Sequence, residues 1–158
     1  MFDVFIHGCS KCDFQQRLGR KVHRRRVQRE VRELRFEVAW CEVEERIVGA
    51  EPTAQSLREG RDSLLIALRF TPMEEIVDTP TLQWFDSEIL LLTHRQGGPR
   101  CLECGTEAIA HRTTDGDGVP RLLHPKCGGN LSITGLELEA GDAPVVEVDE
   151  NGIRIQNP

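Results

Sequence analysis

The stretch HGCSKC, residues 7–12, decides how the first half of the chain folds. It follows FDVFIH (2–7), a run rich in Phe, Val and Ile that reads as a short strand. Beyond Cys12, Phe14, Leu18 and Val22, then Val27, Val31 and Leu34, recur at helical spacing with no proline among them. That pattern predicts a helix of roughly twenty residues. Two cysteines separated by two residues between a strand and a helix leave three readings open: a redox couple, half of a metal site, or two inert thiols.

Working outward, RFEVAWCEVE (35–44) alternates at period two and predicts a second strand, with Cys41 as a plain buried thiol. Gly49, Glu51 and Pro52 mark a loop. SLREGRDSLLIALRF (56–70) begins as a helix, and its LLIALRF half either ends that helix or forms a buried strand. PTLQWFDSEILLL (80–92) reads as a hairpin about the polar Asp86-Ser87-Glu88. Gly97, Gly98 and Pro99 stop regular structure and set a boundary. After it, LSITGLELE (131–139) is strand-like, and VVEVDENGIRIQ (145–156) predicts a hairpin turning at Asn151-Gly152.

The length of 158 residues suits one ordinary domain, or a small domain with a stapled mini-domain. Apolar residues are 39% and charged residues 29%, and no apolar run approaches a membrane span. The start has neither a basic n-region nor a long apolar h-region, so a cytoplasmic protein is expected, and six cysteines in a reducing compartment point to metal or redox chemistry rather than bridges. The net charge of −6 is uneven: residues 17–35 carry +7 and the remainder −13. A basic helix over 17–35 offers a footprint for nucleic-acid phosphates or an acidic protein partner. Aromatic residues are only 5%, so base stacking has little to work with.

The strongest chemical signal is CLECG (101–105) with HPKCGG (124–129). Each is a ligand-x-x-ligand knuckle whose following glycine permits a left-handed turn. Cys101, Cys104, His124 and Cys127 make a Cys3His set with nineteen residues between the knuckles, enough for a hairpin. Four N/S donors favour Zn²⁺ in a closed, structural site. His111 is a substitute ligand of lower rank, falling mid-strand. Residues 99–138 thus resemble a zinc ribbon, with His124 where the ribbon more often has cysteine.

For HGCSKC, a C-x-x-C at the first turn of a helix would have its thiolate stabilised by the helix dipole. Cys9 would be the nucleophile and Cys12 the resolving thiol, with His7 and Lys11 beside them. Together with VDTPTLQWFDSEIL (77–90), this resembles the thioredoxin and glutaredoxin superfamily. The resemblance implies that Pro80 is a cis-proline next to the cysteine pair, with the Thr79 backbone presented to extended substrate. It needs an insertion around 44–70 and lacks a final helix. The rivals are a second metal held by Cys9 and Cys12 with His7, His23 or Cys41; a larger site shared with the ribbon ligands; and inert thiols.

The expectation is therefore an α/β thioredoxin-like domain over 1–96, then a small β zinc ribbon with a C-terminal β-hairpin over 99–158. The function expected with it is thiol-disulfide exchange with the ribbon as a partner-docking module. Its alternative is a non-enzymatic zinc-binding structural or adaptor component of a larger protein or nucleic-acid assembly. No nucleotide-binding, zinc-protease or serine-hydrolase motif is present, and Asp115 and Asp117 lack the glutamate of a calcium loop.

Overall fold

The computed structural model describes residues 1–70 and 79–156. The chain forms two compact units: Met1–Glu51 with Arg100–Pro158, and Pro52–Pro99.

The first unit is built of strands. β1 (Phe2–Cys9) lies between β2 (Gln15–Gly19) and β10 (Asn130–Glu139), and β9 (Pro120–Leu123) and β8 (Thr113–Thr114) complete a five-stranded sheet in the order β2-β1-β10-β9-β8. A second sheet pairs β11 (Val145–Val148) in parallel with β3 (Val22–Val27), which pairs antiparallel with β4 (Glu30–Glu33). A third runs β6 (Arg46–Ala50), β5 (Glu37–Cys41), β7 (Ile109–Ala110). The hairpin at Asn151-Gly152 is present in short form: Gly152 adopts φ 76 and Val148 bridges Arg154.

The α/β thioredoxin-like fold is thereby corrected to a mainly β architecture. The expected helix after Cys12 is instead β2, β3 and β4. β3 and β4 are joined by the two-residue turn Gln28-Arg29, with Gln28 at φ 55 and Val27 opposite Glu30. The physical reason lies in β3, where His23 and Arg25 face inward and Arg24 and Arg26 face out. The period-two signal is carried by polar side chains, and the eye passes to the valines spaced around them. The His23 ring packs against Phe36 with centroids 4.6 Å apart. Burial drives its pKa down to about 4, so it is neutral at pH 7.

The second unit holds α1 (Ala54–Arg69) and α2 (Thr79–His94). Thr53 caps α1, its hydroxyl accepting the Ser56 N–H at 3.0 Å. Gly60 allows the close approach of Phe85: a Cβ there would sit 3.0 Å from the ring. Arg61 reaches Asp86 at 2.6 Å. The expected hairpin over 80–92 is thus a helix, and Asp86-Ser87-Glu88 continues it rather than turning it. Of the segment 77–90, Val77 and Asp78 lie outside the described residues. Pro80 stands in the first turn of α2, where its missing N–H leaves no helical bond unmade. Among the described residues no peptide bond is cis. No described helix is long and apolar enough to cross a membrane.

Candidate metal centres

Strand pairing dictates where the cysteines meet. β1 and β2 form one hairpin, with Gly8 opposite Gln15, so residues 9–14 are its loop. β9 and β10 form another, with Leu123 opposite Asn130, so 124–129 are its loop. Because β1 pairs with β10 and Cys9 stands opposite Leu131, both loops emerge at the same end of one sheet. They interlock: the Ser10 N–H donates to the Asn130 carbonyl at 3.0 Å and the Asn130 N–H to the Ser10 hydroxyl at 2.8 Å.

This brings Cys9, Cys12, His124 and Cys127 together, one donor atom from each lying within 4.8 Å of every other. The Cys127 Sγ is 3.3 Å from the Cys9 Sγ and 3.6 Å from the Cys12 Sγ. The His124 Nδ1 is 3.3 Å from the Cys12 Sγ and 3.2 Å from the Cys127 Sγ. Around tetrahedral zinc with Zn–S of about 2.3 Å, sulfurs stand roughly 3.8 Å apart, so the four donors already surround a volume of that size. Backbone N–H groups of Lys11 and Gly129 donate to the Cys9 and Cys127 sulfurs, each at 3.4 Å. The Lys11 N–H is the largest influence holding the Cys9 thiol below its ordinary pKa. Phe14 and Trp40 wall the His124 ring, with centroids at 4.9 and 5.0 Å.

A second group forms where β5 turns into β6. Cys41 ends β5, while Cys101 bridges Ala50 at the end of β6, and the knuckle 101–104 leads back to β7 beside β5. Cys41, Cys101 and Cys104 lie within 4.8 Å of one another, with the Cys41 and Cys104 sulfurs 3.7 Å apart. Cys41 and Cys101 are fully buried. Burial pushes the Cys101 thiol up to about 12, so a thiolate there needs a cation to stabilise it. Neighbouring residues on a strand face opposite ways, which sends Trp40 against the first group and Cys41 into the second.

The expected ligands Cys101, Cys104, His124 and Cys127 are therefore shared between two groups. The first knuckle in sequence pairs with the last, and the second cysteine-bearing turn with the third. Cys9 and Cys12 join His124 and Cys127, two of the four ribbon ligands, whereas the shared-site reading added them to the complete set; Cys41, expected as a plain thiol or as a companion of Cys9 and Cys12, lies with Cys101 and Cys104 instead. The signal for it was its position at a strand end followed by a tight turn. His111 is placed elsewhere, its Nδ1 3.3 Å from Glu37. All six cysteines are free of disulfides. Cys9 ends a strand instead of opening a helix, so no helix dipole acts on it. Pro80 belongs to the helical unit described above. The basic residues of 17–35 lie on β2, β3 and β4 and in the segments that join and follow them, and several already meet acids: Arg17 reaches Glu137 at 2.8 Å, Lys21 reaches Glu103 at 2.5 Å, and Arg26 pairs with Glu147.

Gly129 tests the first group. A Cβ at this position would overlap the Cys9 Sγ and lie 3.0 Å from the Lys11 backbone nitrogen, which cannot move aside without breaking the loop. Gly129→Ala is expected to weaken metal binding at this group by at least about tenfold. A competition titration against a chromophoric chelator measures it, and an unchanged affinity would contradict the packing described.

No protein-family model, curated protein or solved structure matches the chain, so the reading of both groups rests on their own geometry.

Proposed function

We propose that the chain is a non-enzymatic zinc-binding protein, a metal-stapled β scaffold that serves as a structural or adaptor component of a larger assembly. The observation that carries this reading is the convergence of Cys9 and Cys12 with His124 and Cys127 across more than a hundred residues of sequence. Four donors of mixed thiolate and imidazole type suit zinc, and a full protein ligand set leaves no position for water or substrate. That composition favours structure over catalysis. The same thiols cannot serve as a dithiol couple while they hold an ion, so thiol-disulfide exchange is the competing outcome.

Metal analysis and native mass spectrometry of the full chain, purified without chelator, discriminate the two. Two zinc ions per chain and no turnover of a disulfide substrate are expected. A metal-free chain with a Cys9–Cys12 disulfide after mild oxidation, and reductase activity abolished by Cys9→Ser, would overturn the proposal.

A further inference from the structure

The second group is one donor short of a tetrahedral set. The other knuckles show where the missing donor stands. In Cys101-x-x-Cys104 and His124-x-x-Cys127 the residue after the second ligand turns left-handed, Gly105 at φ 75 and Gly128 at φ 66. The hairpin between β5 and β6 repeats this backbone. Cys41 is followed three residues later by Glu44, and then by Glu45 at φ 49, a conformation uncommon for a residue with a side chain. Cys41 pairs with Arg46 across the loop, and the Glu44 N–H donates to the Cys41 Sγ at 3.4 Å. Glu44 stands at the chain position that a second cysteine fills in the knuckle 101–104, with its carboxylate on Arg46 and not among the donors that lie within 4.8 Å of one another.

We propose that Glu44 is the fourth ligand of this centre, making it a Cys3Glu site. The proposal rests on the reading of Cys41, Cys101 and Cys104 as a metal centre. Glu103, the acid within the knuckle 101–104, is held by Lys21 at 2.5 Å. The Glu44 carboxylate meets Arg46 at 3.2 Å, with the two side chains 34% and 46% exposed. An exposed pair of this kind is weak and gives way by side-chain rotation when a cation is offered.

A carboxylate oxygen is a harder, more readily displaced donor for zinc than a thiolate. This centre therefore binds zinc less tightly than the first and exchanges it first. When the carboxylate swings away, a coordination position opens. Cys104 lines a surface cavity of about 820 Å³ with Glu103, Glu147 and Arg154, so one ligand of this centre faces open space.

The test compares the full native chain with Glu44→Gln and Glu44→Cys, loaded with zinc and, separately, with cobalt(II). The native chain is expected to bind two metals. Glu44→Gln should weaken the second by at least about tenfold and leave the first unchanged, the loss of a ligand costing no less than the loss of a residue that orients one. Glu44→Cys should tighten the second and raise the sulfur-to-cobalt charge-transfer absorption by one thiolate's worth. Two metals in the native chain with both variants within about twofold of it would overturn the assignment of Glu44 alone, with water as the fourth ligand. A native chain that binds one metal, at the first group, would overturn the second centre and Glu44 with it.

Discussion

Stripping the metal at pH 7 is expected to abolish the cooperative unfolding transition of the strand-built unit. Its buried apolar residues do not form one large core. They divide into small clusters: Leu34, Leu102, Val146 and Val148; Trp40, Ile47, Leu122 and Leu131; and Cys41, Val48 and Cys101. Two of the three clusters are built directly onto the proposed metal ligands, since Cys9 packs on the second and Cys41 and Cys101 form the third with Val48. A structural zinc site contributes on the order of 10–16 kcal/mol of apparent binding free energy, against a net stability of about 5–15 kcal/mol for a whole domain. Removing even one site thus takes away as much as the unit has. Trp40, 3% exposed and in contact with His124, reports the change. In a Trp84→Phe chain, where Trp40 is the sole tryptophan, a strong zinc chelator should shift its emission to the red, and added zinc should restore it. A thermal midpoint that stays within about 5 °C of the zinc-loaded chain would mean that the sheets stand without metal.

The parts of this fold legible in sequence are those where inward-facing residues are apolar. β1, β5 and β10 announced themselves through Phe, Val, Ile and Leu, and the knuckles through spacing and glycine. β3 did not, because VHRRRV carries its inward face on His23 and Arg25. A buried arginine looks like a solvated one until its partner, 26 residues away, is placed beside it. α2 was hidden by Asp86 and Glu88, read as a turn. The helical signal was nevertheless present in Leu82, Phe85, Ile89 and Leu92, spaced by three and four, and Glu88 is buried within the helix. The ligand grouping could not be read from spacing, because each C-x-x-C or H-x-x-C supplies half a site and sequence order does not say which halves meet. Only the pairing of β1 with β10 decides it.

Glu51→Ala is expected to destabilise the strand-built unit by about 3–5 kcal/mol, the typical cost of leaving one partner of a buried ion pair uncompensated. Arg25 and Glu51 are both fully buried, with nitrogen and oxygen 2.8 Å apart. The pair is tied into three stretches of chain. Glu51 accepts the Arg100 N–H at 2.9 Å through its second oxygen, and its own N–H donates to the Arg100 carbonyl at 2.9 Å. Arg25 also donates to the Asp149 carbonyl at 3.1 Å, and Gly152 packs so closely that a Cβ there would sit 2.5 Å from the Glu51 carboxylate. One ion pair thus holds the end of β6, the start of the knuckle 101–104 and the terminal hairpin against β3. Truncating Glu51 strands a guanidinium that cannot reach water without opening the sheet. Replacing both members, as in Arg25→Met with Glu51→Leu, removes the charge and its penalty together, so the double variant should be more stable than Glu51→Ala although it lacks the pair. Denaturant titrations of the zinc-loaded chains measure each corner of this cycle. A loss below about 1 kcal/mol for Glu51→Ala would show that Arg25 finds another acceptor, and that the junction is held by packing instead of charge.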